Sequence, residues 1–424
     1  MTRIVITGLG AVCAAGRTPD EIIDAVAAGR SALAPIRQWD TAGWPRRVAG
    51  EIPDLDPYSL VADRKIHKLI RRSDVFGLYA AGRAIEDSGL PGYRTGLDPH
   101  AAAGFNDRTG VYVGSGGGTY EAQHDFLPLV AAAAGDLKAF GRELGATVNP
   151  MWLLRTLPNN VLCHIWIRHG LKGANACVTN HSVSGALAVL EAVEALRQGE
   201  ADRAVAVGHD APIEPQTLLY YHRFGLVATE AIRPFDAQRD GSLFGEGAGA
   251  LMIETEASAA ARGAAVLGEY LGGGCAGEAA GLTSLREDGA GLAEAINAAL
   301  AAGRVRPGDV GMIVAHANGT RQSDASEAAA IRRVFGDAGP PVTGFKWAIG
   351  HLLAGAGAIE TVLALAALRR RSVPGIATLQ RLDPACAGVS AAREAGQPRS
   401  DVALVLSRGF GGTNVALLVR AAGN

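Results

Sequence analysis

The chain has 424 residues, 48% of them hydrophobic and 5% aromatic, with 56 glycines and a formal net charge of −2. That length suits two domains or one large duplicated α/β unit, and the near-neutral charge excludes a global basic field for nucleic acid. Five cysteines, at 13, 163, 177, 275 and 386, are widely scattered without C-x-x-C spacing. Neither a disulfide framework nor a metal site is expected, and a reducing cytoplasm fits best.

The opening MTRIVITGLGAV has one basic residue and a short β-rich run, without the apolar core of a signal peptide. Its first strand is expected at residues 3–7. A helical period over 75–88 precedes a strand at 109–114, and a second helix over 185–198 precedes a strand at 203–208. Glu191 and Glu194 break that helix as a membrane segment, so no membrane span is expected. A strand at 249–254 leads into the small-residue stretch 256–263, which divides the chain into halves 1–255 and 256–424. Helices follow at 292–303 and 325–335, with strands at 311–316 and 402–407. These strands are continuous β-branched runs, the pattern of buried parallel strands, and their alternation with helices implies an α/β fold. A duplicated fold fits the division, although no repeat shows between the halves.

Several segments could carry chemistry. TGLGAVCAAG (7–16) and FGEGAGA (244–250) contain GxG, but no second strand with a closing acidic residue follows the first, so tight turns are expected there and no nucleotide cofactor. CVTNHSVSG (177–185) raises the choice between Cys177 and Ser182 as a nucleophile. Ser182 falls just ahead of a helix, where backbone N–H groups and the helix dipole favour negative charge. It lacks the glycines of a hydrolase elbow, and a serine capping a helix is the plain alternative. His316 ends a strand, and His351 precedes a helix with Lys346 upstream. Two histidines in small-residue turns between strand and helix make an acid/base pair. Around Phe410, SRGFGGTN (407–414) is a glycine turn able to offer N–H groups to an oxyanion.

Together these stretches resemble the β-ketoacyl-acyl-carrier-protein synthases, the elongating condensing enzymes of the thiolase superfamily. The resemblance runs through ITGLGAV, RPFDAQRDGSLFGEGAGALMIE (233–254), HANGTRQSDASEAAAI (316–331), KWAIGHLLAGAGAIE (346–360) and GFGGTN (409–414). It implies two fused βαβαβ halves in a layered α-β-α-β-α structure. It also implies a homodimer or a ketosynthase heterodimer, and an acyl carrier protein delivering acyl or malonyl groups on phosphopantetheine. Ser182 stands at the family's nucleophile position, where cysteine is usual, and Cys177 becomes a packed strand thiol. The family's catalytic histidines match His316 and His351, and its lysine matches Lys346. Asp324 and Glu327 match acidic positions that orient loops. Phe410, between Gly409 and Gly411, matches the gatekeeper, with the N–H groups of Ser182 and Phe410 as the oxyanion hole. Lys65, Lys68, Arg71 and Arg72 form a basic cluster near the family's carrier-docking region, with a solvated helix face as the alternative.

Departures bear on the chemistry. Asn180 and His181 replace the usual small or threonine residues before the nucleophile. The HGTxT turn reads His316-Ala317-Asn318-Gly319-Thr320, and Ser407-Arg408 precedes the gatekeeper loop. A serine hydroxyl needs a general base within hydrogen-bond reach. His316 or His351 would serve, whereas His181, though adjacent, need not point the same way. An oxyester is also a poorer electrophile than a thioester, so complete condensation should be slow. The resemblance therefore implies acyl transfer or decarboxylative condensation in fatty acid or polyketide biosynthesis through Ser182. A chain-length-factor-like partner subunit and an engineered cysteine-to-serine variant made to trap an intermediate are the alternatives.

Overall fold

A computed structural model describes residues 2–117 and 126–423. Eleven strands of the described residues join in one ladder. In chain order they are β1 (Ile4–Cys13), β2 (Thr109–Ser115), β3 (Asn175–Val178), β4 (Arg203–Asp210), β5 (Gly247–Thr255), β6 (Gly268–Gly277), β7 (Met312–Val314), β8 (Pro341–Thr343), β9 (Ser390–Ala391), β10 (Val402–Gly409) and β11 (Thr413–Ala421). Outward from the centre on one side the order is β1, β5, β4, β2, β3. The first two pairings are antiparallel and the last two parallel. On the other side β6, β11, β10, β7, β8 repeat both the order and the directions. β1 and β6 pair antiparallel and join the halves. The duplication that the two half-sequences conceal is thus explicit in strand order.

The helices that matter for the site are α1 (Arg72–Asp87), α2 (Ser184–Arg197), α3 (Ala290–Gly303), α4 (Arg321–Phe335) and α5 (Ala356–Arg369). α1 covers β1 and β5, and α3 covers β6 and β11. α2 and α5 form the middle layer and touch strands of both halves. α5 is buried from Ala356 through Leu368, which is why its sequence is apolar all round rather than striped. The two middle helices meet through glycines. A Cβ on Gly185 would lie 2.7 Å from the Ala354 oxygen, and one on Gly357 would lie 2.7 Å from the Ala186 Cβ. This closeness brings the N-terminal ends of α2 and α5 together.

The glycine-rich opening is not a tight turn. β1 runs on through Gly8 and Gly10 to Cys13. A Cβ on Gly10 would lie 2.0 Å from the Ala80 oxygen, so glycine is what lets α1 approach the strand. Gly249 likewise lies in β5 against Ile359 of α5, where a Cβ would come 2.4 Å from its Cα. Among the described residues, no helix is long and apolar enough to cross a membrane.

Candidate active site

The turn ahead of α2 holds the serine. Ser182 is buried in a 3-10 turn, His181–Val183. His181 has φ +48°, a left-handed conformation that costs a residue with a side chain about 1 kcal/mol or more. The Ser184 hydroxyl holds it there by accepting from the Asn180 N–H at 2.8 Å and donating to the His181 carbonyl at 2.8 Å. The twist turns the His181 ring toward its neighbour. His181 Nδ1 lies 2.8 Å from the Ser182 Oγ, and His181 Nε2 lies 2.5 Å from the Tyr221 hydroxyl. Burial pulls the His181 imidazole down to about 4, so it is neutral at physiological pH.

Phe410 closes this arrangement. It begins the 3-10 turn of the β10–β11 hairpin, where Gly411 takes φ +77°. Its ring stacks on His181 with centroids 4.6 Å apart and planes 19° apart, and on Tyr221 at 5.4 Å. Gly409 passes so close that a Cβ would come 3.6 Å from the Ser182 nitrogen. The hairpin backbone therefore borders the Ser182 amide, as an oxyanion hole requires.

The second half supplies the histidine pair. His316 lies two residues beyond β7, and His351 lies between α5 and Gly350, whose φ is +81°. Their ring centroids are 5.1 Å apart. The Arg408 N–H donates to His316 Nδ1 at 3.3 Å, and the Leu353 N–H donates to His351 Nδ1 at 3.2 Å. A neutral ring that accepts at Nδ1 carries its hydrogen on Nε2. Burial, then Lys346, holds both imidazoles well below their ordinary range, which keeps them neutral. His351 thus carries its hydrogen on Nε2, whereas His316 faces an N–H donor at both ring nitrogens. Among the described residues, the imidazole within hydrogen-bond reach of Ser182 Oγ is His181 rather than His316 or His351.

Their supports are buried. Glu327 accepts from the His316 and Ala317 N–H groups at 2.7 and 2.9 Å. Asp324 accepts from Gly319 at 3.1 Å and Phe235 at 2.8 Å. These bonds stabilise a turn in which Ala317 and Gly319 both have positive φ. Lys346 donates to Glu360 at 2.5 Å, with each side chain 1% exposed. Arg408 is tied to Glu278 at 2.8 Å and Asn414 at 2.9 Å, so this departure from the family pattern anchors the hairpin. The Asn318 amide nitrogen stands 3.2 Å from His316 Nε2, and the Asn318 oxygen accepts from the Thr320 N–H and hydroxyl at 3.0 and 2.9 Å.

Ser182, His181, Tyr221, His316, His351 and Phe410 all line one cavity of about 400 Å³. A second cavity, of about 510 Å³, shares the His181, Tyr221 and Phe410 wall. Cys177 lies on β3, donates to the Pro158 carbonyl at 3.3 Å and is pushed up to about 11 by burial, so it is a protonated packing thiol. The basic cluster splits. Lys65 and Lys68 are exposed, but Arg71 is buried with Asp74 3.7 Å away, and Arg72 bonds the buried Glu246 at 2.5 and 2.7 Å. Those two arginines cap and brace α1, so they are not open docking cations. His181 and Tyr221 were missed from the sequence. Asn-His before the serine was a visible anomaly, whereas YYHRF around Tyr221 carried no signal.

Comparison with known proteins agrees with this geometry. The family model described as beta-ketoacyl synthase, N-terminal domain, matches residues 1–259, and that for the C-terminal domain matches 267–380. A 3-oxoacyl-[acyl-carrier-protein] synthase 2 of Coxiella burnetii is 30% identical over 98% of this chain and 98% of its own length. The tetracenomycin polyketide synthase ketoacyl synthase alpha subunit of Streptomyces glaucescens is 31% identical over 99% and 97%. Among solved structures, the ishigamide ketosynthase/chain length factor superposes with a TM-score of 0.86 at 30% identity, covering both chains completely. With both domain models matched in order across the fold, the chain belongs to the beta-ketoacyl synthase family.

Proposed function

We propose that this protein is an acyltransferase of fatty acid or polyketide biosynthesis that works on acyl and malonyl thioesters of an acyl carrier protein, with Ser182 as acyl acceptor. The observation that carries this is the convergence, in one cavity, of the Ser182 hydroxyl with the His316 and His351 imidazoles. Ser182 Oγ attacks the acyl thioester, and the N–H groups of Ser182 and Phe410 receive the carbonyl oxygen as it becomes an oxyanion. The pantetheine thiol leaves. For a malonyl thioester, the His316 and His351 imidazoles donate N–H to the thioester oxygen, stabilising the enolate that forms as CO2 departs. The enolate carbon then attacks the Ser182 ester. That last step is slow, because an oxyester is less electrophilic than the thioester a cysteine would form.

Gly409, Gly411, Asp324, Glu327 and Lys346 hold this apparatus in place. The halves divide near residue 255, and the cytoplasm is the proposed compartment. Pairing with a second ketosynthase-type chain, identical or not, is supported by exposed apolar side chains at Leu127, Val130, Leu137, Leu153 and Leu154. A chain-length-factor-like role is the second reading, favoured by the likeness to a ketosynthase/chain length factor structure and weakened by the intact histidine pair. Mass spectrometry after incubation with acyl carrier protein tests the assignment. An acyl adduct on Ser182 together with CO2 release from malonyl carrier supports it. Release without the adduct supports the partner role, and the absence of both discards enzyme chemistry.

A further inference from the structure

We infer that Ser182, His181 and Tyr221 form a hydrogen-bonded nucleophile relay, in which the residue adjacent in sequence is the serine's general base. The inference rests on the reading of Ser182 as acyl acceptor and deepens it. Three observations carry it. His181 Nδ1 is the imidazole nitrogen within 2.8 Å of Ser182 Oγ, and Tyr221 lies at the opposite ring nitrogen. His316 and His351 both have Nδ1 occupied by backbone N–H donors, and the Asn318 amide nitrogen lies 3.2 Å from His316 Nε2, so neither imidazole is turned to accept from Ser182. Finally, the His181 ring is held by strained backbone at φ +48°, by Phe410 stacked at 4.6 Å, and by Tyr221, itself wedged edge-on against Phe244 at 4.8 Å. Strain retained on a residue whose side chain is fixed on two sides is a mark of function.

For Nδ1 to accept, Nε2 must carry the hydrogen and donate it to the Tyr221 oxygen. Tyr221 is therefore a positioning residue that selects the tautomer. In the acylation step the Oγ–H proton passes to Nδ1 as the Oγ–C bond forms. The C–S bond of the thioester then breaks, and the Nδ1 proton goes to the departing sulfur, leaving an acyl serine, a free carrier thiol and neutral His181. Tyr221, His316 and His351, with Asp240, Arg321 and Arg408 round the cavity wall, are the titratable and charged groups facing this centre, and Arg71, Arg72, Asp210, Glu214 and Tyr220 line the second cavity on the other side of His181. A buried neutral imidazole stays unprotonated down to about pH 4, so the base is available throughout the neutral range.

The test measures Ser182 acylation by a hexanoyl N-acetylcysteamine thioester, using mass spectrometry on the full-length protein. In the wild type the rate should be flat from pH 8 to 5.5. His181→Gln should lower it about 10²- to 10³-fold and give a profile that climbs about tenfold per pH unit, as hydroxide replaces the base. Tyr221→Phe should cost about tenfold. In a Ser182→Cys background, where the nucleophile ionises itself, His181→Gln should cost far less. Equal losses in the serine and cysteine backgrounds, or an unchanged pH profile, would overturn the relay while leaving Ser182 acylation standing. A wild type that forms no adduct would overturn both.

Discussion

Lys346→Met isolates a buried carboxyl whose response to pH can be worked out. Lys346 and Glu360 are each 1% exposed and 2.5 Å apart, and Glu360 Oε2 has no hydrogen-bond partner among the described residues. Burial pushes the Glu360 carboxyl up to about 7, with Lys346 opposing that rise. Without Lys346 the carboxyl stays protonated in the folded protein through neutrality, while in the unfolded chain it ionises near its ordinary 4.5. The folded state then holds a proton that the unfolded chain has lost, so stability falls as pH rises. Two and a half pH units above 4.5, at about 1.36 kcal/mol each, the penalty is about 3.4 kcal/mol at pH 7, against about 1.4 kcal/mol at pH 5.5. Lys346→Met/Glu360→Gln has no such group and supplies the reference. Urea unfolding of both variants at several pH values should show a gap that widens by about 1.36 kcal/mol per unit. A gap that does not change with pH would refute the reasoning. The same substitution removes the charge that, after burial, does most to hold His316 and His351 neutral. The acid limb of malonyl decarboxylation should therefore move to higher pH.

Gly185→Ala should destabilise the fold by about 2 kcal/mol in a urea titration, because the new Cβ meets the Ala354 oxygen at 2.7 Å where the middle helices touch. Glu327→Gln keeps only one of the two acceptors serving the His316 and Ala317 N–H groups. It should cost about 2 kcal/mol and reduce CO2 release from malonyl carrier more than Ser182 acylation. Lys65→Glu/Lys68→Glu should weaken carrier binding several-fold at low ionic strength, with the effect fading at high salt in a fluorescence titration. Arg72→Glu should instead lower the melting temperature, since it strands the buried Glu246.

What the sequence made legible was whatever depends on local pattern. β4, β5 and β10 lie where continuous apolar runs place them, α1 to α4 begin within a few residues of their helical periods, and α5 follows His351. β6 went unseen because GEYLGGGCAG is weak in β-formers; it is a strand by virtue of pairing with β11 and packing under α3. β8 and β9, three and two residues long, exist only through their neighbours. Gly8 and Gly10 misled in the other direction. Glycine reads locally as a turn, while the constraint here is the approach of α1 some seventy residues away. Arg71 and Arg72 misled in the same way, since a basic run says nothing about the buried acids that meet it.

The site itself was legible where family spacing carries it and illegible where tertiary geometry decides. Ser182, His316, His351 and Phe410 came from motifs, and all line one cavity. The identity of the base did not, because neighbouring side chains diverge unless the backbone turns, and a φ of +48° at His181 is not written in the letters TNHSVSG. Nor does sequence show which imidazole nitrogen a backbone N–H occupies. On the proposed reading the duplicated halves divide the work. The N-terminal half carries the proton acceptor, with His181 beside Ser182 and Tyr221 behind it. The C-terminal half carries the His316 and His351 imidazoles, proposed to face an enolate oxygen. Replacing a cysteine by serine moves the demand for a base into the N-terminal half alone, and the two substitutions unusual for the family, serine and the histidine before it, are there mutually explanatory. A serine without His181 would lack a base, and a histidine placed beside a cysteine thiolate would have little to accept.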